Sequence, residues 1–337
     1  MSSITKHKDG YRAQVCVKGV RDSATRRTKR EAEAWAASRE TELRSDALKS
    51  PGERHTLADA MRKYAEEVSP TKRGGRWEVI RLDALARDTN LPCSELIVGK
   101  VNTTHIAIWR DARLRVVKPN TVLREMGLLS AVFETARREW RWIAVNPIRD
   151  VRKPSKPAHR KVVITRKQVL LMLNEMGYSP HKPVRSVSQA VAVCFLLALR
   201  TGMRAGELCG LTWDKVHHGY CALPKTKTVP RDVPLTSKAM MLIERMRGWD
   251  DVLVFGLKAQ TLDALFRKYR VQAGLEGFTF HDSRHTAATW IAGRMRSHGI
   301  PAQQAVFDLC KMFGWSNVNQ ALVYYNPSAA DIAKRIG

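Results

Sequence analysis

One stretch near the C-terminus, residues 280–325, constrains this chain more than any other. It places His281 and Arg284 three residues apart, and side chains at that spacing share one face of a helix. Both side chains donate hydrogen bonds to phosphate oxygens, and an arginine can donate two in parallel. The indole N–H of Trp315 and the hydroxyl of Tyr324 follow. Because the stretch has no acidic pair and no cluster of metal ligands, these groups indicate chemistry on a phosphodiester.

These motifs resemble the C-terminal signature of the tyrosine recombinases, the phage integrase family. That signature has a His-x-x-Arg element, a Gly-His/Trp-Ser element and a nucleophilic tyrosine nine residues after the histidine or tryptophan. Tyr324 stands nine residues after Trp315, and Tyr325 is an alternative that only this spacing disfavours. The resemblance implies that the four residues named above are catalytic. His285 belongs to the same run, and its expected role is structural support, because a histidine beside a site more often supports it than reacts.

A second motif, Thr-Gly-x-Arg-x-x-Glu-Leu, occupies residues 201–208. It follows an apolar run that predicts a buried helix ending at Gly202, so that Arg204 is fixed on rigid structure at a helix junction. By resemblance to the same family, Arg204 is the first catalytic arginine and Glu207 is the carboxylate that orients the site. A simple Arg–Glu helix cap is the structural alternative, and it leaves the second arginine motif unexplained.

Residues 220–235 predict a β-hairpin on which the family carries a catalytic lysine. That lysine usually lies eight residues before the proline of a Val-Pro-Leu element. Lys227 lies seven residues before Pro234 and Lys225 lies nine before it, so the turn is one residue short. We choose Lys227 and keep Lys225 as an alternative.

The reaction that the resemblance implies needs neither a metal nor a cofactor. The Tyr324 hydroxyl attacks a backbone phosphorus, while Arg204 and Arg284 neutralise the pentacoordinate transition state. Lys227 protonates the departing 5′ oxygen, because a tryptophan N–H does not titrate. His281 donates a hydrogen bond or assists deprotonation of the tyrosine. The product is a 3′-phosphotyrosine link, which keeps the bond energy for rejoining.

The charge of the chain agrees with a polyanionic partner. Its 58 Lys+Arg against 32 Asp+Glu give a formal charge of +26, so DNA or RNA is the first candidate. A ribosome-associated or merely basic protein is the alternative. The 6 cysteines lie far apart with no C-x-x-C pair, which argues against zinc and predicts reduced core residues in the cytoplasm. No apolar run approaches the ~20 residues that span a bilayer, so no membrane contact is expected.

The hydrophobic pattern predicts a multidomain, mainly α-helical chain. Residues 1–50 predict a small β-sheet plus one helix that begins with a capping box from Thr28 to Glu31, and they resemble an arm-type DNA-binding module. Residues 54–148 hold four amphipathic helices and resemble the helical core-binding domain of the family. Residues 162–337 resemble its mixed α+β catalytic domain.

A basic linker, residues 149–161, is expected between the helical domain and the catalytic domain. Its prolines keep it extended, and its charge favours a path along a DNA backbone. A flexible hinge whose charge only aids solubility is the alternative. The residues expected to contact phosphates are Arg152, Lys153, Lys156, Arg160 and Lys161.

Together these features favour a site-specific DNA recombinase of the phage or prophage integrase type, acting on double-stranded DNA. The resemblance implies a homotetramer on paired DNA sites, an accessory DNA-bending or directionality protein, and a location in the cytoplasm of a bacterial or phage-infected host cell. A type IB-like topoisomerase and a catalytically inactive DNA-binding regulator are the alternatives. The N-terminal module argues against the first, and the complete set of site residues argues against the second.

Overall fold

The structure is a computed structural model, and it describes residues 2–7, 10–48, 50–88, 94–156, 162–224, 230–325 and 333, apart from the side chains of residues 46–48 and 51. The chain divides into two compact units, Met1–Ala158 and His159–Gly337. No helix within the described ranges has the length and apolar character that crossing a bilayer requires.

The first unit begins with a three-stranded antiparallel sheet and one long helix. These elements are β1 (Ser2–His7), β2 (Gly10–Val17), β3 (Val20–Arg26) and α1 (Lys29–Leu48). The strands pair in the order β1-β2-β3, and α1 packs on β2. The predicted capping box is confirmed, because the Glu31 N–H donates to Thr28 Oγ1 at 3.2 Å and the Thr28 N–H donates to Glu31 at 3.3 Å. Strand β1 was not predicted, since its side chains are almost all exposed and carry no apolar alternation.

A helical bundle follows in the same unit. Its described helices are α2 (Pro51–Arg54), α3 (Leu57–Glu67), α4 (Gly75–Ala86), α5 (Thr103–Val116) and α6 (Pro119–Arg138). The four longer helices agree with the predicted amphipathic segments, and they bury Tyr64, Trp109 and Phe133 at 1% exposure or less. The small sheet has a core of its own around Ala13 and Val15. The finer division into domains at residues 50 and 148 stays a prediction.

The second unit is built around one apolar helix. Its described elements are α7 (Arg166–Glu175), α8 (Val187–Thr201), α9 (Ala205–Cys209), β4 (Val216–His217), β5 (Tyr220–Leu223), β6 (Arg231–Pro234), α10 (Ser237–Glu244), α11 (Ala259–Gln272), α12 (Asp282–Ser297), α13 (Ala302–Phe313) and α14 (Asn319–Leu322). Helix α8 is apolar on nearly every side and packs against α10, α11 and α12, as expected of a helix buried all round. The strands form an antiparallel sheet in the order β4-β5-β6, which confirms the predicted hairpin.

Candidate active site

The turn after α8 fixes the position of Arg204. Gly202 ends α8 in the left-handed region, with φ 66°, and its N–H donates to the Ala198 carbonyl at 2.8 Å. A Cβ at Gly202 would stand 2.2 Å from Cε1 of Phe313. Glycine is therefore required both for the backbone conformation and for the close approach of the ring. Arg204 starts α9 with 22% of its side chain exposed.

Glu207 lies between two arginines, and we call Arg204, Glu207 and Arg231 the Glu207 cluster. Arg204 donates to the carboxylate from Nη1 at 2.8 Å and from its backbone N–H at 2.9 Å. Arg231 donates two parallel bonds, at 3.0 and 2.7 Å. Burial by itself would raise the pKa of Glu207, but hydrogen bonds from Arg231 and from Arg204 outweigh it and the pKa is lowered. The carboxylate therefore stays charged and holds Arg204 in place.

Arg231 is a member of the site that the sequence analysis missed. It is 9% exposed, and its Nε also donates to the Met312 carbonyl at 3.0 Å, which joins β6 to the end of α13. The signal that could have found it is the alternation of the strand. Arg231 and Val233 are buried in β6, whereas Asp232 and Pro234 are exposed.

Arg284 ties two helix ends together from the first turn of α12. It is 5% exposed, and it donates from Nη1 to the Gly202 carbonyl at 2.6 Å and from Nη2 to the Phe313 carbonyl. Burial and, next, the charge of Arg204 lower the pKa of Arg284 to about 9, so the guanidinium is still protonated at neutral pH. Since the charge of Arg204 acts on Arg284, the pair favours binding of an anion.

His281 and His285 flank Arg284 on the same segment. Their ring centroids lie 5.5 Å apart, with the rings nearly perpendicular. His281 precedes α12 and remains exposed. Partial burial and, next, the charge of Arg284 lower the pKa of His281. The lowered pKa favours the neutral ring, which can donate one hydrogen bond.

Three aromatic rings form a stack beside Arg284. Phe313 and Trp315 lie 4.6 Å apart between centroids, and Trp315 and Tyr324 lie 5.4 Å apart with only 4° between their planes. The guanidinium carbon of Arg284 is 4.9 Å from the Phe313 centroid and 5.8 Å from that of Trp315. The stack orients the Tyr324 ring and keeps it close to a buried positive charge.

The two neighbouring tyrosines have different surroundings. The Tyr324 hydroxyl is hydrogen-bonded to Nδ1 of His285. Burial raises the pKa of Tyr324, and the charge of Arg284 partly opposes this. Tyr325 is 6% exposed, and its hydroxyl donates to the Ile300 carbonyl at 3.0 Å. The geometry thus favours Tyr324 as the member of the site and Tyr325 as a packing residue.

The structure brings Arg204, Glu207, His281, Arg284, His285, Trp315 and Tyr324 together in the second unit. Lys225 and Lys227, together with Arg160 and Lys161, lie outside the described residues. Three further predicted phosphate contacts are exposed in the first unit, namely Arg152, Lys153 and Lys156. In the part of the chain that the structure describes, no three His, Cys, Asp or Glu side chains form a group that could hold a metal ion.

Comparison with known proteins finds integrases and recombinases among the similar sequences. The sequence profile of the phage integrase family matches residues 162–331. A Haemophilus influenzae protein of the integrase/recombinase class is 34% identical over 294 residues, which cover 84% of this chain and 79% of that protein. The shufflon-specific DNA recombinase of Escherichia coli is 33% identical over 243 residues, which cover 69% of this chain and 60% of that enzyme.

Solved structures show the same fold at lower identity. A lambda integrase dimer bound to a COC′ core site has a TM-score of 0.64 and 19% identity, over 96% of this chain and 94% of that one. The Tn1549 transposon integrase in complex with a circular intermediate DNA has a TM-score of 0.63 and 18% identity, over 83% of this chain and 98% of that one. A lambda integrase tetramer bound to a Holliday junction has a TM-score of 0.63 and 19% identity, over 94% of this chain and 96% of that one.

Proposed function

The chain belongs to the phage integrase family and is a tyrosine-type site-specific DNA recombinase, and on that premise we propose that Tyr324 is the nucleophile with which it cuts DNA. The observation that carries the proposal is the parallel stack of Trp315 and Tyr324 beside the buried Arg284. It holds one phenol next to a cation that attracts phosphate. The relatives give no support to a type IB-like topoisomerase or to an inactive regulator.

Arg204 and Arg284 bind the scissile phosphate in this proposal. Arg204 gives Glu207 only Nη1 of its side chain, and among the described residues its Nε and Nη2 donate to no protein group. Those donors suit the non-bridging oxygens of a phosphate, whose charge grows in the transition state. Arg231 holds Glu207 with two hydrogen bonds, and Glu207 in turn fixes the orientation of the Arg204 guanidinium.

Further donors complete the proposed mechanism. The Trp315 indole N–H and the His281 ring N–H donate to phosphate oxygens as Tyr324 attacks. Lys227 protonates the departing 5′ oxygen, and Lys225 is the alternative for that step. The product is a 3′-phosphotyrosine link, and attack on it by a 5′ hydroxyl of another strand rejoins the DNA.

The rest of the chain would deliver DNA to this site. We propose residues 1–50 as an arm-type DNA-binding module, 54–148 as the core-binding domain, 149–161 as a linker along the DNA backbone and 162–337 as the catalytic domain. Four copies would assemble on two paired sites, with an accessory DNA-bending or directionality protein for one direction of the reaction. A DNA substrate of phage or chromosomal origin places the reaction in the cytoplasm of the host cell.

A matched pair of tyrosine variants tests the nucleophile. Cleavage is first mapped on DNA fragments that flank the gene, and a nicked suicide duplex is then made from the mapped site. Tyr324→Phe should abolish the covalent protein–DNA adduct on a denaturing gel while DNA binding persists. Tyr325→Phe should still form the adduct. An adduct that survives in Tyr324→Phe and is lost in Tyr325→Phe would reverse the assignment.

A sulfur-substituted substrate tests the lysine. When sulfur replaces the bridging 5′ oxygen, the leaving thiolate needs no proton. Lys227→Ala should therefore cleave normal DNA ~10²–10⁴-fold more slowly than the unsubstituted protein. It should cleave the thio-substrate at nearly the rate of the unsubstituted protein. Lys225→Ala is the matched control. Rescue by sulfur in Lys225→Ala alone would move the role to Lys225.

Removal of residues 1–50 tests the arm module. The shortened protein should lose its footprint on a second class of DNA sites and keep cleavage at the core site. Unchanged footprints on every site would show that this module is not an arm binder.

A further inference from the structure

One contact of the nucleophile has no role in the mechanism above. The Tyr324 hydroxyl is hydrogen-bonded to Nδ1 of His285, although the two residues are 39 positions apart in the chain. Their ring planes are inclined by 26°, with centroids 6.1 Å apart. Trp315 meanwhile stacks on the Tyr324 ring, so the imidazole and the indole contact the same phenol.

His285 sits on a rigid support. It lies in the first half of α12, between Arg284 and Thr286, which are both buried. Arg284 is anchored by carbonyls at two helix ends, and Thr286 Oγ1 accepts from the Ile164 N–H at 2.9 Å. A side chain on such an element keeps its position within a narrow range, as a proton-transfer group requires.

The neighbouring His281 is less suitable as a base for the phenol. Among the described residues no hydrogen bond joins His281 to Tyr324. Partial burial and, next, the charge of Arg284 lower the pKa of His281. The His281 ring meets the His285 ring edge-on, with 5.5 Å between the two ring centroids.

We propose that His285 is the general base of the cleavage step, and that its Nδ1 accepts the hydroxyl proton of Tyr324 as the phenolic oxygen bonds to phosphorus. This role rests on the proposed function of Tyr324 as the nucleophile. It requires the tautomer whose ring proton is on Nε2, so that Nδ1 offers a lone pair to the hydroxyl. His281 is then left to donate to the phosphate.

The step balances without any further reactant. A bond forms between the Tyr324 oxygen and phosphorus, and the bond between phosphorus and the 5′ oxygen breaks. The tyrosine proton goes to His285, and the 5′ oxygen takes a proton from the lysine of the hairpin. In the rejoining step the 5′ hydroxyl gives its proton back to the lysine, and the imidazolium returns its proton to the leaving phenolate. His285 and the lysine thus exchange roles between the two directions.

The test combines a variant in which residue 285 is no longer basic with a tyrosine at position 324 that loses its proton more easily. In the full-length protein His285→Asn places an amide oxygen near the position of Nδ1, so it can hold the hydroxyl but cannot take its proton. Each protein is made with natural tyrosine or with 3,5-difluorotyrosine at position 324, because fluorine makes the phenol much easier to ionise. The rate of adduct formation on the suicide duplex is measured in a single turnover.

We expect His285→Asn to slow adduct formation by ~10²–10⁴-fold with natural tyrosine. With difluorotyrosine the ratio between unmodified His285 and the variant should shrink towards one, because a phenolate needs no base. His281→Asn is the matched control, and its loss of rate should be the same with both nucleophiles. His285→Gln serves as a second variant, and DNA binding on a native gel shows that each protein is folded.

Two results would overturn the proposal. A His285→Asn protein as fast as the unsubstituted enzyme would show that His285 only holds the tyrosine. A loss that fluorination leaves unchanged would show a purely structural role. Tyr324→Phe, run in the same series, separates this from failure of the proposed function, since an adduct in that variant would remove the nucleophile itself.

Discussion

In the part of the chain that the structure describes, each unit has a buried glutamate that accepts hydrogen bonds from two arginines, but the surroundings of the two glutamates differ. Glu125 in the first unit is 0% exposed and accepts hydrogen bonds from Arg81 and from Arg113. Glu207 in the second unit is 9% exposed and accepts from Arg204 and Arg231. Charge and burial are therefore nearly the same at both glutamates.

The difference lies in what surrounds the arginines. Arg113 donates to Glu125 from Nε at 2.9 Å and from Nη2 at 3.2 Å, so its guanidinium is directed at the carboxylate. Arg204 gives Glu207 only Nη1 from its side chain, and the charge of Arg204 acts on the neighbouring Arg284. A buried Arg–Glu pair is thus no mark of a site by itself. What sets Arg204 apart is its surroundings, because Arg284 and the stack of Trp315 and Tyr324 belong to the same site.

The largest expected effect comes from neutralising either carboxylate. Glu125→Gln and Glu207→Gln each leave buried arginine charge uncompensated, so each should lower the free energy of unfolding of its own unit by about 3–5 kcal/mol. Hydrogen exchange of the amides of α6 and α9 separates the two units. Cleavage per folded molecule should fall only in Glu207→Gln, because Glu207 holds Arg204, the arginine that we propose to bind the scissile phosphate.

An equal loss of cleavage in both variants would show that Glu125 and Glu207 do not differ in their effect on the reaction. Equal DNA binding by the two variants, measured below the temperature at which either unit opens, is the control for unfolding.

Much of this contrast could be predicted from the sequence, because it is local. The run at residues 201–208 predicts Arg204 and Glu207 at a helix junction, and periodicity predicts α3, α5 and α6. The capping box at Thr28 is read from four consecutive residues. Propensity and short-range hydrogen bonds decide such features, so they are visible in the chain order.

The parts that were missed depend on contacts across the fold. Arg231 is 24 residues from Glu207, and an arginine in a strand is normally exposed. His285 meets Tyr324 across 39 residues, so its position in the chain indicated only support. Strand β1 is an edge strand of polar residues, and its pairing with β2, not its own pattern, makes it a strand. Tertiary pairing of this kind leaves no periodic signal.

The next effect tests directly the side-chain donors of Arg204. Arg204→Ala should slow adduct formation by ~10²–10³-fold, the loss typical of one oxyanion donor. Arg204→Lys should recover little, since an ammonium cannot bond to Glu207 and a phosphate in the same planar geometry. Arg113→Ala is the matched control, and its rate per folded molecule should be unchanged. Single-turnover adduct formation at saturating protein gives these rates.

A slow Arg113→Ala protein that is folded and binds DNA would contradict the contrast. It would mean that Glu125 and its two arginines also act in the reaction.

A smaller effect tests whether packing, as well as charge, sets the Glu207 cluster apart. Gly202→Ala adds a Cβ that would stand 2.2 Å from the Phe313 ring, at φ 66°. Backbone strain and overpacking should together cost about 1–3 kcal/mol of stability. Displacement of Phe313 should also disturb the stack with Trp315, so adduct formation should slow. Thermal unfolding and the adduct assay measure the two losses.

Gly177→Ala is the control for that experiment, because Gly177 has φ 63° and nothing within 4 Å of its added Cβ. Gly177→Ala should lose only the stability that backbone strain costs, and its cleavage rate should be unchanged. Equal losses in the two variants would mean that the Phe313 contact contributes nothing.

The smallest effect concerns the charge state of Glu207 in acid. Its pKa is lowered in the folded protein, where burial is outweighed by the hydrogen bonds from Arg231 and Arg204. The pKa of a glutamate in the unfolded chain is about 4.3. The stability that the lowered pKa contributes is fully present above the unfolded pKa and is lost as the pH falls through the folded pKa. Protonated Glu207 then resembles glutamine, so the destabilisation in Glu207→Gln should be largest at neutral pH and should shrink in acid. Urea unfolding of both proteins, in steps from pH 7 to about pH 3, gives this difference directly. A penalty that is constant over that range would mean that Arg231 and Arg204 do not hold Glu207 in its charged form.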